Sequence, residues 1–212
     1  MDADFAIELG GDDPVLDFPW EDPAGELAYF DVKRHPELLP RIGEAEKFPA
    51  LLVFLRTVNS ARSAVETAKC DAWATTELNA EEEVYGASHK FASYVDAVFS
   101  ADWKACQASV LQFPSNQLSF GLSPGRESLI VHERFAGKLV ELLRRAPEIP
   151  SAVEICVRRC YFPDEGEVRE GFYFTLYTSG YGNDEEDARR NWEVGLKLAG
   201  NAIVQLSVSG LE

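Results

Sequence analysis

The sequence is poor in the residues that supply most short catalytic and metal-binding motifs. Its 212 residues include three histidines, four cysteines and one methionine. It contains no Cys-x-x-Cys, no His-Glu-x-x-His, no Walker-type loop and no dinucleotide-binding fingerprint. We therefore expect neither a metal nor a cofactor, and no catalytic residue is assigned. An enzyme whose groups come from distant parts of the chain stays an open alternative.

Positive charge is scarce as well. The chain has 20 Lys and Arg residues against 36 Asp and Glu residues, which gives a formal net charge of −16. Such a surface repels phosphate groups, so binding to nucleic acid or to an anionic membrane is disfavoured. The same charge suits a basic protein partner or a small ligand.

Long apolar runs are also missing. No run reaches the roughly 20 residues that a membrane-spanning helix needs. The acidic N-terminus lacks the basic and apolar segments of a secretory signal, and the four cysteines are too few for a disulfide framework. We therefore expect a cytoplasmic protein with reduced thiols.

The chain divides into three predicted regions. Residues 1–27 contain nine acids and no Lys or Arg, and their prolines and glycines predict an irregular acidic arm that packs on the body and adds one edge strand. Residues 28–112 form a first α+β unit, and residues 113–210 form a second unit with the order βαββα. Both units are expected to belong to one globule.

Patterning predicts the elements within these units. Helices are predicted where apolar residues recur at helical spacing, and strands where β-branched and aromatic residues cluster. The predicted strands are 28–33, 63–75, 116–121, 151–162 and 171–180, and the predicted helices are 35–59, 126–147 and a last helix capped by Asn183 or Asp184. Residues 81–100 fit either a helix or a strand, and we favour a strand from Lys90 onward.

A short echo raises the question of internal duplication. Residues 63–66 and 151–154 both read Ser-Ala-Val-Glu, 88 residues apart, and the same shift superimposes the strand 28–33 on 116–121. The predicted fold is thus α+β, with antiparallel sheets and helices on one face. Two versions stay open: a tandem ferredoxin-like (βαββα) pair, or a domain without internal symmetry. A homodimer is expected by analogy with such sheets.

The repeat selects the candidate ligand-binding residues. It aligns Lys69, Asp71 and Trp73 with positions 157, 159 and 161, and it places charged side chains within apolar strands. An Asp71–Arg159 ion pair would satisfy both residues structurally. The functional alternative is a pocket in which Arg158 or Arg159 binds a carboxylate and an aromatic wall stacks on the ligand. The candidates are Lys69, Asp71, Trp73, Arg158, Arg159 and Tyr161.

These observations support three functional hypotheses. The leading one is a non-catalytic binding or regulatory protein whose anionic surface recognises a basic partner or a small ligand. The second is an enzyme with a dispersed acid–base site on the sheet around Asp71 and Arg159. The third is an acidic inhibitor or immunity-type protein that masks a basic surface.

Overall fold

The fold was analysed in a computed structural model of the chain. It describes residues 1–10, 16–20, 25–26, 29–78, 85–100, 124–164 and 167–209. The strands are β1 (Asp2–Ile7), β2 (Leu16–Asp17), β3 (Val65–Thr75), β4 (His89–Phe99), β5 (Ser151–Asp164) and β6 (Glu167–Gly182). The helices are a 3-10 helix (Pro36–Arg41), α1 (Gly43–Lys47), α2 (Pro49–Val58), α3 (Pro124–Arg144) and α4 (Glu185–Ser209).

One mixed sheet organises these elements. Its strand order is β1-β5-β6-β4-β3, and the short β2 pairs with β5 beyond the end of β1. The β3–β4, β4–β6 and β5–β6 pairs are antiparallel, whereas β1 and β2 run parallel to β5. The α+β class is confirmed, but the prediction of purely antiparallel sheets is wrong because the N-terminal residues add parallel strands.

The described helices pack against one face of the sheet. Helix α4 contacts β6 and β4, α3 contacts β1 and β6, and α2 packs on α4. Trp192 of α4 is fully buried against Phe91, and its indole N–H donates to the Ser93 hydroxyl at 2.8 Å. The main core therefore lies between the helices and this face, where burial of aromatic and aliphatic side chains supplies most of the stability.

Prolines divide the helix predicted over residues 35–59. Phe48 has an extended backbone (φ −123°, ψ 95°) because the ring of Pro49 disfavours a helical conformation in the residue before it. Pro49 then occupies the first turn of α2, as predicted. Pro40 lies in the 3-10 helix, which ends at Arg41 before the extended Ile42. The region is helical, but it forms three short segments.

Several other sequence predictions are confirmed. The region 81–100 contributes a strand, β4, which starts at His89 and pairs on both sides. The hairpin β5–β6 forms, and the stretch predicted as its loop mostly extends the two strands. Helix α4 is capped by the Asp184 carboxylate, which accepts a hydrogen bond from the Asp187 N–H at 2.8 Å.

The predicted strand 28–33 is wrong where the structure describes it, at residues 29–33. The Asp31 side chain accepts a hydrogen bond from the Arg34 N–H and its carbonyl accepts one from the His35 N–H, which closes a turn. The Lys33 ammonium donates hydrogen bonds to the backbone carbonyls of Ser60, Ser63 and Val65. The predicted strand 116–121 lies outside the described residues. A ferredoxin-like duplication is therefore not confirmed, although hairpins β3–β4 and β5–β6 lie side by side.

Gly180 determines how closely α4 approaches the sheet. A Cβ atom there would collide with the backbone N of Trp192 and the carbonyl O of Ala188. We expect Gly180→Ala to lower the free energy of unfolding by about 3 kcal/mol, the upper end for overpacking, because rigid backbone must move. Urea unfolding measures the loss. Gly43→Ala is the matched control, since a Cβ there meets nothing within 4 Å. Equal stability of both variants would contradict this account.

Candidate functional site

The face of the sheet opposite the helices, here called the open face, carries four of the predicted site residues. Successive strand side chains alternate between faces, and register places Lys69 opposite Asp96, away from the helices. Asp71 and Trp73 follow on the same face of β3, and Arg158 reaches the open face from β5. Asp71 and Trp73 are exposed, so this edge of the face is accessible to solvent.

The other two predicted residues lie on the opposite side. Arg159 pairs in register with Phe172, whose ring contacts His132 of α3, and Tyr161 lies two residues further on the same side. The predicted Asp71–Arg159 ion pair is wrong because β4 and β6 separate their strands and the side chains project to opposite faces. The acid near Arg159 is Glu170, at 3.9 Å between Nε and Oε1.

A chain of hydrogen bonds crosses the open face. The Arg158 Nε donates to the Glu8 carboxylate at 2.7 Å, and its Nη1 donates to the Thr175 hydroxyl at 2.9 Å and to the Tyr177 hydroxyl at 3.2 Å. The Thr175 hydroxyl in turn donates to Asp96 Oδ1 at 2.6 Å. Arg158 thus binds the Glu8 carboxylate, just after β1, directly and is linked to the Asp96 carboxylate on β4 through one hydroxyl.

The surroundings of the two carboxylates shift their pKa values in opposite directions. Asp96 is 8% exposed, and its desolvation raises the pKa of the carboxyl, against the lowering effects of the Thr175 hydrogen bond and of Lys69 and Arg158. Hydrogen bonds from the Cys156 thiol and from Arg158 lower the pKa of Glu8. In this hydrogen-bonded series, Asp96 therefore keeps its proton to a higher pH than an ordinary carboxyl group, and Glu8 loses its proton at a lower pH.

A transverse row of side chains runs across all five long strands of the open face. Register places Asp71, Tyr94, Tyr177, Glu154 and Asp4 directly opposite one another on β3, β4, β6, β5 and β1. The three acids are exposed and the two tyrosines are partly buried. We call this set the acid–tyrosine row. It combines negative charge with two aromatic rings, and both attract cations.

The far end of the open face is covered. Phe18, from the N-terminal part of the chain, packs edge-on against Tyr29 and Phe162, at centroid distances of 5.4 and 5.6 Å. Together with Cys160 and Tyr173 these residues form a second, smaller apolar cluster. The acid–tyrosine row lies outside this cluster, and its three acids are exposed.

A cleft of about 480 Å³ adjoins the row at the edge of β3 that pairs with none of the other described strands. Trp20, Phe30 and Tyr94 provide aromatic walls, and two of the predicted site residues, Lys69 and Asp71, line it. The remaining lining residues are Glu26, Val32, Arg41, Ile42, Gly43, Glu44, Leu55, Thr67, Ala68 and Cys70. Small-molecule sites are concave spaces of this kind and size, ~300–1,000 Å³.

Sequence reasoning missed Tyr94, Asp96, Thr175, Tyr177 and Glu154. A signal for the residues on β6 was present in the stretch 172–177, where Phe, Phe and Leu alternate with Tyr, Thr and Tyr. Such alternation indicates a strand with one buried face and one polar, aromatic face. The positions on β4 and β5 depend on strand pairing, which the sequence did not reveal.

One serine-containing pattern needs comment. Residues 121–125 read Gly-Leu-Ser-Pro-Gly, the spacing of a nucleophile elbow. Residues 121–123 lie outside the described part of the chain, and α3 begins at Pro124. An elbow joins a strand directly to a helix, and the residues that would form that strand lie outside the described part of the chain as well. The pattern carries no catalytic assignment here.

No relationship to a known protein guides the interpretation. No family model matches the sequence, and neither a curated protein nor a solved structure is similar to it. Within the described residues, no group of three or more His, Cys, Asp or Glu side chains is arranged to hold a metal ion. None of the described helices is long and apolar enough to cross a membrane. The geometry alone carries the functional argument.

The two carboxylates of the hydrogen-bonded chain give a testable pH signature. Asp96 has a raised pKa in the folded state, so its effect on folding becomes less favourable as pH rises through that pKa. Replacing it by Asn removes this effect. We therefore expect the unfolding free energy of Asp96→Asn, relative to wild type, to increase as pH rises from about 4 to 7.

Glu8 provides the control of opposite sign. Its pKa is lowered, so its stabilising contribution is present above its ordinary pKa of 4.5 and is lost as pH falls. The unfolding free energy of Glu8→Gln, relative to wild type, should decrease as pH rises toward 4.5 and stay level above about pH 5. Urea titrations at several pH values measure both differences. Parallel pH dependences of the two variants would refute the assignment.

Proposed function

We propose that this is a non-catalytic binding protein that recognises a basic segment of a partner protein through the acid–tyrosine row. The observation that carries the proposal is the alignment of three exposed carboxylates with two tyrosine rings on one open sheet face. Lysine and arginine side chains are the protein groups that satisfy both features, since they pair with carboxylates and lie over aromatic rings.

Two acids of the row repel each other and so destabilise the unbound protein. Glu154 and Asp4 lie directly opposite each other on neighbouring strands, an arrangement that destabilises a sheet by a few tenths of a kcal/mol. Arg144 is the nearest compensating cation, 3.7 Å from Asp4, but that pair is well exposed and contributes little. A basic partner would relieve this repulsion, so the arrangement favours binding over stability.

The tyrosines already attract cations within the molecule. The Lys69 ammonium lies 5.9 Å from the centre of the Tyr94 ring, and the Arg158 guanidinium lies 5.8 Å from that of Tyr177. Both distances fall within the range of cation–π attraction. Both rings are thus placed for cation–π contacts, and a cation of the partner would approach the exposed part of each ring.

The wider charge of the protein supports the same function. A net charge of −16 accelerates association with a basic protein and makes it sensitive to salt. An inhibitor or immunity-type role is one form of this interaction, in which the bound partner is a basic enzyme. The enzyme hypothesis loses its proposed centre, because Asp71 and Arg159 lie on opposite faces of the sheet.

A synthetic nonapeptide of alternating arginine and glycine tests the proposal. We expect it to bind with an affinity that falls steeply with salt, and the double variant Asp71→Asn/Glu154→Gln to weaken binding about tenfold, because two charge pairs are lost. Tyr94→Leu should weaken it severalfold through loss of the cation–π contribution. Fluorescence anisotropy of the labelled peptide measures each affinity.

A second double variant controls for net charge. Glu133→Gln/Glu148→Gln also removes two negative charges, but from exposed positions outside the row. If recognition is local, this variant should bind the peptide nearly as well as wild type. Equal losses in the two double variants would show a diffuse electrostatic attraction and would overturn the assignment of the row.

A further inference from the structure

The cleft beside β3 has a charge pattern that differs from that of the acid–tyrosine row. Its cations are Lys69 and Arg41, and its acids are Glu26, Glu44 and Asp71. Both cations lie over aromatic rings: Lys69 is 5.0 Å from the centre of the Trp20 ring, and Arg41 is 5.2 Å from that of Phe30. Charges of both signs therefore line one small space with aromatic walls.

This pattern excludes simple ions as favoured ligands. A small anion would meet the Lys69 ammonium but would be repelled by three carboxylates, which outnumber the cations. A small cation would meet those carboxylates but would have to approach Lys69. A ligand with one group of each sign avoids both penalties, because each of its charges faces an opposite charge across the cleft.

The walls define the rest of the ligand. The centres of the Trp20 and Tyr94 rings lie 5.0 and 5.9 Å from the Lys69 ammonium, and Phe30, Val32 and Leu55 supply further apolar surface. Flat aromatic groups pack well against such walls, with an added attraction from stacked or edge-on rings. The ligand is thus expected to carry a ring in addition to its two charges.

The cleft offers little for covalent chemistry. Cys70 is the thiol that lines it, and burial raises the pKa of that thiol to about 12. It is therefore protonated at neutral pH, and a protonated thiol is a poor nucleophile. Binding without reaction is consistent with this environment.

We infer that the cleft is a binding site for a free aromatic amino acid. Lys69 binds the carboxylate of the amino acid, Asp71 and Glu44 bind its ammonium, and its ring packs against the aromatic walls. The site is separate in chemistry from recognition of a basic segment, because it depends on a cation, Lys69, that weakens the attraction for basic partners.

Three indole compounds test the charge requirement by isothermal titration calorimetry. L-Tryptophan has both charges, tryptamine lacks the carboxylate, and indole-3-propionate lacks the amine. We expect L-tryptophan to bind and each analogue to bind at least about tenfold more weakly, because one charged group of the site is left without its partner. Absence of L-tryptophan binding at millimolar concentration, or equal binding of either analogue, would overturn the inference.

Variants locate the site and separate it from the row. Lys69→Met should abolish the preference for L-tryptophan over tryptamine, whereas Lys197→Met, on an exposed part of α4, should leave it unchanged. Glu154→Gln lies outside the cleft and should affect peptide binding alone. Should Lys69→Met fail to fold, Glu44→Gln tests the other end, with a selective loss for ligands that carry an amine. Unchanged ligand preferences in a folded Lys69 or Glu44 variant would place any binding elsewhere.

Discussion

The pairing of β4 with β6 is the constraint on which both faces of this protein depend. It joins two hairpins into one sheet, placing Tyr94 opposite Tyr177 and Asp96 opposite Thr175. A slip of one residue would turn every side chain of a hairpin to the other face. The buried core then fixes the register, because Phe91, Val95 and Phe99 must face the helices. Packing of the core on one face thus determines which side chains lie opposite one another on the open face.

Two ionisable side chains of the open face, Asp96 and Arg158, are largely buried. Asp96 and Arg158 lie within the sheet where water has little access, yet neither replaces the apolar residues of the core. Hydrogen bonding through Thr175 links them, so their partial burial leaves no charge isolated. This bridge also holds the Arg158 guanidinium beside Tyr177, which connects the buried polar groups to the exposed row.

The sequence predicted the elements better than their assembly. Clusters of β-branched and aromatic residues identified β5 and β6, and the spacing of apolar residues identified α3 and α4, because these signals are local. The prediction failed at residues 29–33, where the apolar neighbours of Asp31 suggested a strand but Asp31 closes a turn. Lys69, Asp71, Trp73 and Arg158 were correctly placed on strands, but their shared face depends on pairing between distant segments. The partners of those residues, such as Glu154 and Tyr177, follow from that pairing alone.

The spacing of the row restricts the shape of a basic partner. Three strand spacings separate Asp71 from Glu154, roughly 14 Å at about 4.8 Å per spacing. In an extended chain, residues four apart are separated by about 13 Å and project to the same side. A helix needs about nine residues to span this distance, and its facing positions recur every three or four residues. Cations at both acids and over the tyrosines between them therefore fit an extended segment laid across the strands better than a helix.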